Sequence, residues 1–265
     1  RGRGPAPHVL TIRSGMVRGG AGSVAPLADP ALKALTLFRA LLFVAGSLAW
    51  MLAAAMAVSG RLLWALLFAA FAFGAHIAGR AWSRAAPVAF PHYMRWLLYL
   101  PRGPHSAQRV RRVLQPLRGE RILEIGPGVG IHALPIASSL APGGVLDLLD
   151  VQREMLDALM RGAARRGLTN VVPSQGDARR LPYADHVFDA AYLIGVLGEI
   201  PDGVAALREL HRVLKPGGRL LIAELAIDPD FVALGILRAM AGDAGFVLDR
   251  TVGPRLAYCA VLRPG

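Results

Sequence analysis

Three closely spaced glycines are the first feature of the sequence that could do chemistry. Gly126, Gly128 and Gly130 directly follow an apolar run at residues 121–125. Glycines leave the backbone bare at the carboxyl end of a strand, so a ligand can approach closely and the N–H groups of a following helix can point at it. The dinucleotide pattern G-x-G-x-x-G would need glycine at 131, where Ile131 stands, so a nicotinamide-binding interpretation is disfavoured.

An acidic residue follows the glycines at a functionally meaningful distance. Asp150 ends the next apolar run, about twenty residues past the loop, where a carboxylate can accept both hydroxyls of a ribose. Asp150 could equally cap the helix predicted to begin after it, and the two roles are compatible. A second polar group, Gly176-Asp177-Ala178, follows the third apolar run.

The elements that must position these residues alternate between strand and helix patterns. Strands are predicted at 121–125, 145–149, 170–173, 187–194, 219–224, 246–251 and 257–262. Helices are predicted at 106–115, 131–140, 153–166, 201–213 and 230–242, and residues 214–218 (LKPGG) predict a helix stop and a tight turn. This alternation is typical of an α/β fold with a mostly parallel sheet. Because no long helix separates the last two strands, the last strand is predicted to be antiparallel.

Five segments together resemble a known family. Residues 123–130 (LEIGPGVG), the acid at 150, residues 176–183 (GDARRLPY), 187–202 and 209–224 are similar to the motif series of class I S-adenosylmethionine (SAM)-dependent methyltransferases. The similarity is greatest to the quinone-biosynthesis and small-molecule group and covers about residues 105–263. It implies a Rossmann-like sheet of seven strands, parallel except for one, with SAM as the cofactor.

The resemblance also implies a role for each matching residue. The loop with Gly126, Pro127, Gly128 and Gly130 would pass beneath the methionine part of SAM, and Glu124 would orient the loop or the amino group. Asp150 would bind the ribose, with Val151 and Met155 beside the adenine. Asp177, after Gly176, would accept a hydrogen bond from the adenine amino group. The backbone N–H of Ala178 would donate to a ring nitrogen of the adenine. Residues 193–195, of which Leu193 is the first, lie at the end of strand four and would face the sulfonium and the substrate.

Methyl transfer is an in-line displacement that needs alignment, a dry site and, for a protonated nucleophile, a base. The candidates for such a polar role are Glu199, Tyr192 and His105, with His132 beside them. Each has a structural alternative. Glu199 could be a first-turn helix acid, Tyr192 a core aromatic on its strand, and His105 a surface histidine.

Charge is distributed unevenly along the 265 residues. The net charge is +12, and residues 1–104 hold eleven Lys and Arg against one acid, Asp29, which leaves only +2 for the remainder. A catalytic part with so little excess charge disfavours a nucleic-acid substrate. The single cysteine, Cys259, excludes an intrachain disulfide and a cysteine-based zinc site, and we expect a buried thiol there and no metal.

Two uncharged apolar runs lie ahead of the glycine loop. Residues 40–60 and 62–79 are separated only by a short turn containing Arg61, and each is about 30 Å long as a helix, which matches the hydrocarbon core of a bilayer. They predict an antiparallel transmembrane hairpin with small residues on one face, a face that could also join two copies of the chain. A cleaved signal peptide and a buried soluble hairpin are the alternatives.

The charge pattern predicts the orientation and the remaining segments. Basic residues flank the pair of runs, so both ends of the hairpin and the catalytic domain are expected on the cytoplasmic side of the cell membrane. The predicted organisation is a basic arm at 1–31, the hairpin at 32–80, an aromatic and basic linker at 81–104 and a catalytic domain at 105–265. The linker, with an amphipathic helix at 92–100, would lie in the headgroup layer or pack on the domain.

These features predict a membrane-anchored methyltransferase that acts on a lipophilic acceptor. A prenylated quinone precursor or a phospholipid headgroup amine would suit a site that opens towards the bilayer. The alternatives are a SAM-binding membrane assembly or regulatory protein without catalysis, and a methyltransferase for a soluble small molecule.

Overall fold

The chain begins, in the part that can be described, with two antiparallel helices. The computed structural model describes residues 30–99 and 103–265, so the predicted basic arm lies almost entirely outside the described residues. Helix α1 spans Pro30–Val58 and helix α2 spans Leu62–Ala85. The turn between them falls where it was predicted, and the hydroxyl of Ser59 donates to the carbonyl oxygen of Met56 (3.0 Å).

Small residues allow the two helices to approach closely. A Cβ atom on Gly46 of α1 would lie 2.6 Å from the ring of His76 on α2, so only glycine fits at this crossing. The residues buried along the pair are small: Gly46, Ala49, Ala53, Ala65, Ala72, Ala75, Gly79 and Ser83. The large apolar side chains are exposed instead, among them Leu48, Met51, Leu63, Leu66, Phe71 and Phe73.

Helix α2 is the candidate membrane span. Within the described residues, it is long and apolar enough to cross a membrane by length and composition. The helical hairpin is therefore present, whereas its insertion in a membrane stays a prediction.

One sheet organises the rest of the chain. Its seven strands, counted over the described domain, are β1 (Arg121–Ile125), β2 (Val145–Asp150), β3 (Val171–Gln175), β4 (Phe188–Ile194), β5 (Leu214–Leu225), β6 (Phe246–Val252) and β7 (Ala257–Pro264). Their order is β3-β2-β1-β4-β5-β7-β6, and β7 runs antiparallel to both of its neighbours. The predicted sheet, parallel except for its last strand, is confirmed.

Helices cover both faces of the sheet. They are α3 (Ala107–Leu114), α4 (Ala133–Leu140), α5 (Arg153–Arg165), α6 (Gly203–Val213) and α7 (Leu234–Asp243). Successive residues of β5 alternate between the two cores, since Ile222 packs in the cluster of α6 and α7 and Leu221 in that of α3, α4 and α5. Cys259 is buried in the second cluster, as expected, and burial raises the pKa of its thiol.

The main differences from the predicted elements concern two starting residues and one helix type. Strand β5 begins at Leu214 rather than 219, because Leu214 already pairs with Phe188 before the register shifts. Helix α7 begins at Leu234 rather than 230, because residues 226–233 form a loop closed by hydrogen bonds between its own backbone and the Asp228 carboxylate. The helix predicted at 92–100 is a 3-10 helix, His92–Tyr99.

An ion pair ties β5 to the segment ahead of β1. The guanidinium of Arg219 donates to both carboxylate oxygens of Glu120 (2.8 and 2.7 Å) and to the carbonyl oxygen of Leu114 (2.6 Å). The side chains of Arg219 and Glu120 are only 14% and 13% exposed, so this pair is better shielded from solvent than an ordinary surface pair.

Candidate functional site

A cavity of about 520 Å³ opens at the carboxyl edge of the sheet. The ends of β1, β2 and β4 and the loops that follow them form its floor. This is where open α/β sheets bind ligands, because the loops diverge there and leave a crevice. The volume is in the range of small-molecule sites.

The glycine loop shapes the floor. Gly126 and Gly128 line the cavity with φ angles of +63° and +54°, in the left-handed region that favours glycine. A Cβ atom on Gly126 would lie 2.7 Å from the side chain of Val196. Gly130 also has a positive φ, but its missing Cβ makes room for Leu159 of α5, so its role is in packing.

Glu124 places a carboxylate at the end of β1. The side chain is buried, lines the cavity and accepts a hydrogen bond from the hydroxyl of Tyr192 (2.6 Å). Burial raises the pKa of Glu124 to about 8, the Tyr192 hydrogen bond lowers it, and the nearby Asp150 charge raises it further. A positive group in the cavity would shift Glu124 to its charged form.

Asp150 ends β2 on the same floor. It is 8% exposed, and burial raises its pKa to about 6 although backbone N–H groups, first that of Gln152, favour its ionised form. The Gln152 N–H donates to the Asp150 Oδ1 (2.9 Å) in the turn before α5, but the N-cap of α5 is Gln152 and no side chain caps it, so the helix cap predicted at Asp150 is not formed. Val151 and Gln152 continue this wall.

The loop after β3 supplies the next part of the wall. Gly176, Asp177 and Ala178 all line the cavity, as predicted, together with Arg179. The Arg179 side chain donates to the Asp177 carboxylate (2.6 Å at the shortest), and this hydrogen bond lowers the pKa of Asp177.

Acidic residues surround the opposite end of the cavity. Glu199 and Asp228 line it. A Cβ atom on Gly195 would lie 3.2 Å from the Asp228 carboxylate. Burial raises the pKa of Glu199 well above its usual range, and the charges of Asp228 and Asp230 raise it further. Glu199 is therefore a group that can hold a proton at the cavity wall.

The roof comes from the segment between α2 and the catalytic domain. Its contributions to the wall are all apolar: Pro87, Val88, Ala89, Phe90, Leu97 and Leu98. The linker packs on the domain through these residues, and its place in the headgroup layer stays a prediction. Its outer side presents Tyr93, Trp96 and Tyr99, which are about half exposed or more.

Most of the predicted site residues come together at this cavity, and five do not line it. Gly130, Met155, Leu193, Tyr192 and His105 lie outside its wall. Leu193 points into the core beneath α6 and α7, because β4 alternates its side chains. Tyr192 reaches the site only through Glu124, and the carbonyl oxygen of His105 accepts from the ring of His132 (2.9 Å), which does line the cavity.

Several cavity residues carried no signal in the sequence. Phe90 and Leu98 belong to a segment far from every motif, and Val196 looks like an ordinary apolar residue after a strand. Gln152 lies two residues past Asp150, the acid predicted to bind the ribose, and this closeness is the only indication in the sequence that Gln152 belongs to the site. Among the described residues, no group of three His, Cys, Asp or Glu side chains forms a candidate metal site.

The fold and the site define a class of protein, and comparisons with known proteins agree with it. A family model described as "Methyltransferase domain" matches residues 122–218. The SAM-dependent methyltransferase from Aquifex aeolicus superposes with a TM-score of 0.60 at 21% identity, covering 65% of this chain and 97% of that one. The [4+2]-cyclase SpnF superposes with a TM-score of 0.51 at 28% identity, covering 58% and 61%.

Sequence relatives are more specific. The demethylmenaquinone methyltransferase of Geobacillus kaustophilus is 30% identical over 137 residues, which cover 52% of this chain and 54% of that protein. The ubiquinone/menaquinone biosynthesis C-methyltransferase UbiE of Pseudomonas putida is 37% identical over 109 residues, which cover 41% and 43%. The chain thus spans about half the length of the curated relatives it matches.

The family model and the sequence relatives support a SAM-dependent methyltransferase, with SAM as its cofactor, and the solved structures show the same fold. The residues present fit that cofactor. Gly126 and Gly128 line the cavity with positive φ angles and expose bare backbone to it, and Glu124 and Asp150 are buried acids on the same wall. SAM carries a sulfonium and an ammonium group, so carboxylates are the right partners for its charge.

Proposed function

We propose that this chain is a membrane-anchored methyltransferase that moves a methyl group from SAM to a lipophilic acceptor at the cytoplasmic face of the membrane. One observation carries the proposal. A single cavity joins the cofactor motifs to an apolar roof, residues 87–98, and that roof is the direct continuation of the apolar helix α2.

The division of the cavity wall supports the class of acceptor. Phe90 and Leu97 offer apolar surface to a tail, whereas Glu199 and Asp228 offer polar groups to a reactive head. A prenylated quinone precursor combines these two parts, and the relatives named for menaquinone and ubiquinone biosynthesis act as precedent for it. A phospholipid with a headgroup amine is the other acceptor of this shape.

The distribution of apolar residues supports the anchor. Small residues are buried between α1 and α2 while the large ones face outward, which is the reverse of a soluble helix pair and typical of helices packed in lipid. At the domain end of α2, Arg80 donates to the carbonyl oxygen of Ala226 and stacks 5.9 Å from the Phe231 ring centroid. Arginines at this end agree with the cytoplasmic side.

The residues would divide the work of the reaction as follows. Bound SAM supplies an electrophilic methyl group, so the protein has to align the acceptor and exclude water. Gly126 and Asp150 hold the cofactor end, and the roof closes the site to solvent. Glu199, which lines the same cavity, would accept the acceptor's proton at its carboxylate in the ionised form.

Transfer of label tests the proposal on the full chain in lipid nanodiscs. The protein is incubated with methyl-labelled SAM and a membrane lipid extract, and the lipids are analysed by mass spectrometry. We expect label in a prenylated quinone, and a preference of at least tenfold in kcat/KM for a prenylated acceptor over its unprenylated analogue. Label in phosphatidylethanolamine would select the other acceptor.

Two results would contradict the proposal. SAM binding without label transfer to any acceptor would favour the non-catalytic assembly or regulatory protein. A preference for the unprenylated acceptor would favour a soluble small-molecule substrate. Glu199→Gln should lose turnover while it keeps SAM affinity, which separates the proton-holding role from cofactor binding.

A further inference from the structure

The roof segment, residues 87–98, is held to the domain mainly through its backbone. The carbonyl oxygen of Phe90 accepts a hydrogen bond from the Gln152 Nε2 (2.7 Å), and the His92 N–H donates to the Gln152 Oε1 (3.1 Å). The Phe90 N–H donates to the Glu199 Oε2 (3.0 Å). One amide side chain therefore holds the backbone on both sides of Pro91, which has no N–H of its own.

The chemistry of this contact is specific to glutamine. Gln152 is 7% exposed, and a buried amide is costly unless both its donor and its acceptor find partners. Here both do, and both partners belong to the roof. Glutamate would lose the donor to Phe90, and alanine would lose both bonds.

Gln152 also belongs to the cofactor floor. Its own N–H donates to the Asp150 Oδ1 (2.9 Å), and it lines the cavity beside Val151. The roof touches the floor a second time, since the Leu98 Cδ1 lies 3.0 Å from where a Cβ on Gly128 would be. The roof thus contacts the cavity floor at two points. One is the pair of hydrogen bonds to Gln152, and the other is Leu98 against Gly128 of the glycine loop.

The roof has few other means of staying closed. No residue of its 3-10 helix, His92–Tyr99, is buried, and Trp96 is 62% exposed. A segment with so few buried groups opens at low cost. The hydrogen bonds from Gln152 and Glu199 are directional contacts that favour its closed position.

We propose that Gln152 is a positioning residue that docks the roof, residues 87–98, onto the cofactor loop, so that cofactor affinity and closure of the acceptor site depend on it. The part that concerns SAM and the acceptor rests on the proposed function. The docking itself concerns only this chain's own residues and can be measured without any ligand.

Hydrogen exchange on the full chain in nanodiscs tests the docking. Gln152→Ala should speed exchange at the amides of Phe90 and His92, because a hydrogen bond contributes about a factor of five to an equilibrium and two bonds roughly tenfold to thirtyfold. Gln175→Ala is the matched control. The Gln175 Nε2 donates to the carbonyl oxygen of Val151 (3.0 Å), in the same loop, but does not contact the roof.

The expected results separate docking from general destabilisation. In Gln152→Ala, exchange should rise over residues 87–98 but not in the strands, and SAM affinity measured by calorimetry should fall about tenfold. Gln175→Ala should change the exchange over residues 87–98 and the SAM affinity by less than twofold each. Gln152→Glu keeps the acceptor for His92, so it should protect that amide better than alanine does, and it serves if the alanine variant does not fold.

Two outcomes overturn the proposal. Unchanged exchange over residues 87–98 in both Gln152 variants would show that Gln152 does not hold the roof. Faster exchange with unchanged SAM affinity would show that the roof does not close over the cofactor. Failure of the unaltered chain to bind SAM would instead contradict the proposed function, and the exchange comparison would still decide the docking.

Discussion

Glu124 makes a quantitative prediction about SAM binding. Its carboxyl is buried, accepts from the Tyr192 hydroxyl and has a pKa of about 8, so at neutral pH most molecules of the ligand-free protein hold a proton there. The ammonium group of SAM would pair with the ionised carboxylate. SAM affinity should therefore rise with pH until Glu124 is ionised, and Glu124→Gln should remove that rise.

The size of the effect follows from the fraction ionised. With a pKa of about 8, that fraction increases about sixteenfold between pH 6.5 and pH 8. The ligand's α-amino group, with a pKa of about 7.7–8.0, loses its proton in the same range and reduces the net gain to roughly sevenfold, with a maximum near pH 8. Replacing a charged hydrogen bond by a neutral one should weaken binding in Glu124→Gln about tenfold at pH 8.

Isothermal titration calorimetry with SAM between pH 6.5 and 8.5 measures the profile. Tyr192→Phe provides the internal check, because loss of its hydroxyl should raise the pKa of Glu124 and move the rise to higher pH. A flat profile in the unaltered chain, or an unchanged profile in Glu124→Gln, would refute the pairing of this carboxylate with the ligand's ammonium group.

The same group predicts how stability depends on pH. The folded-state pKa of Glu124 lies above its ordinary value of 4.5, so the folded chain binds this proton more tightly than the unfolded chain does. Its contribution to stability is complete below about pH 4.5 and is lost as pH rises to about 8. Thermal unfolding of the ligand-free protein should therefore show a larger Tm gain for Glu124→Gln at pH 8 than at pH 5.

Three further predictions concern other parts of the molecule. Gly126→Ala should reduce SAM affinity at least tenfold in calorimetry, because its Cβ would collide with the Val196 side chain. The control Gly217→Ala has a similar positive φ but open space around it, so it should leave SAM affinity unchanged. Asp150→Asn should weaken SAM binding by about 1.5–3 kcal/mol, the value of hydrogen bonds to a charged group. Arg219→Met should lower the free energy of unfolding by about 2–3 kcal/mol in urea, against less than about 0.5 kcal/mol for Arg153→Ala, whose ion pair is exposed.

Each of these has a result that would count against its reasoning. Equal losses of affinity in the two glycine variants would mean that backbone strain, not the space at the loop, is responsible. Retention of affinity in Asp150→Asn would remove the ribose contact from the proposed site. Equal stability losses in the two arginine variants would show that shielding from solvent does not strengthen the pair in β5.

The sequence predicted the sheet well because its signals are local. Apolar runs bounded by glycine, proline and acidic residues placed all seven strands, and the short connection between the last two predicted the antiparallel one. The errors fall where pairing partners decide the outcome. Leu214 belongs to a strand only because Phe188 lies opposite it, and no local pattern reports that contact.

The cofactor floor was equally accessible from the sequence. Gly126, Gly128, Asp150 and Asp177 line the cavity because parallel strands end at the same edge and carry their loops there together. Residues 193–195 were assigned to the site, and of these Ile194 and Gly195 line the cavity whereas Leu193 lies in the core. Its strand places alternate side chains on opposite faces, and the residues that do reach the cavity come just after it.

By itself the sequence determined a glycine loop and acids at the ends of strands, and it also determined the apolar runs ahead of them. Those are properties of single elements and their order. Only the tertiary structure decided that residues 87–98 close over the loop, because that contact joins positions about sixty residues apart through the backbone of Phe90 and the side chain of Gln152. Backbone groups are the same at every residue, so a hydrogen bond made to them leaves no mark in the sequence of the segment that is held.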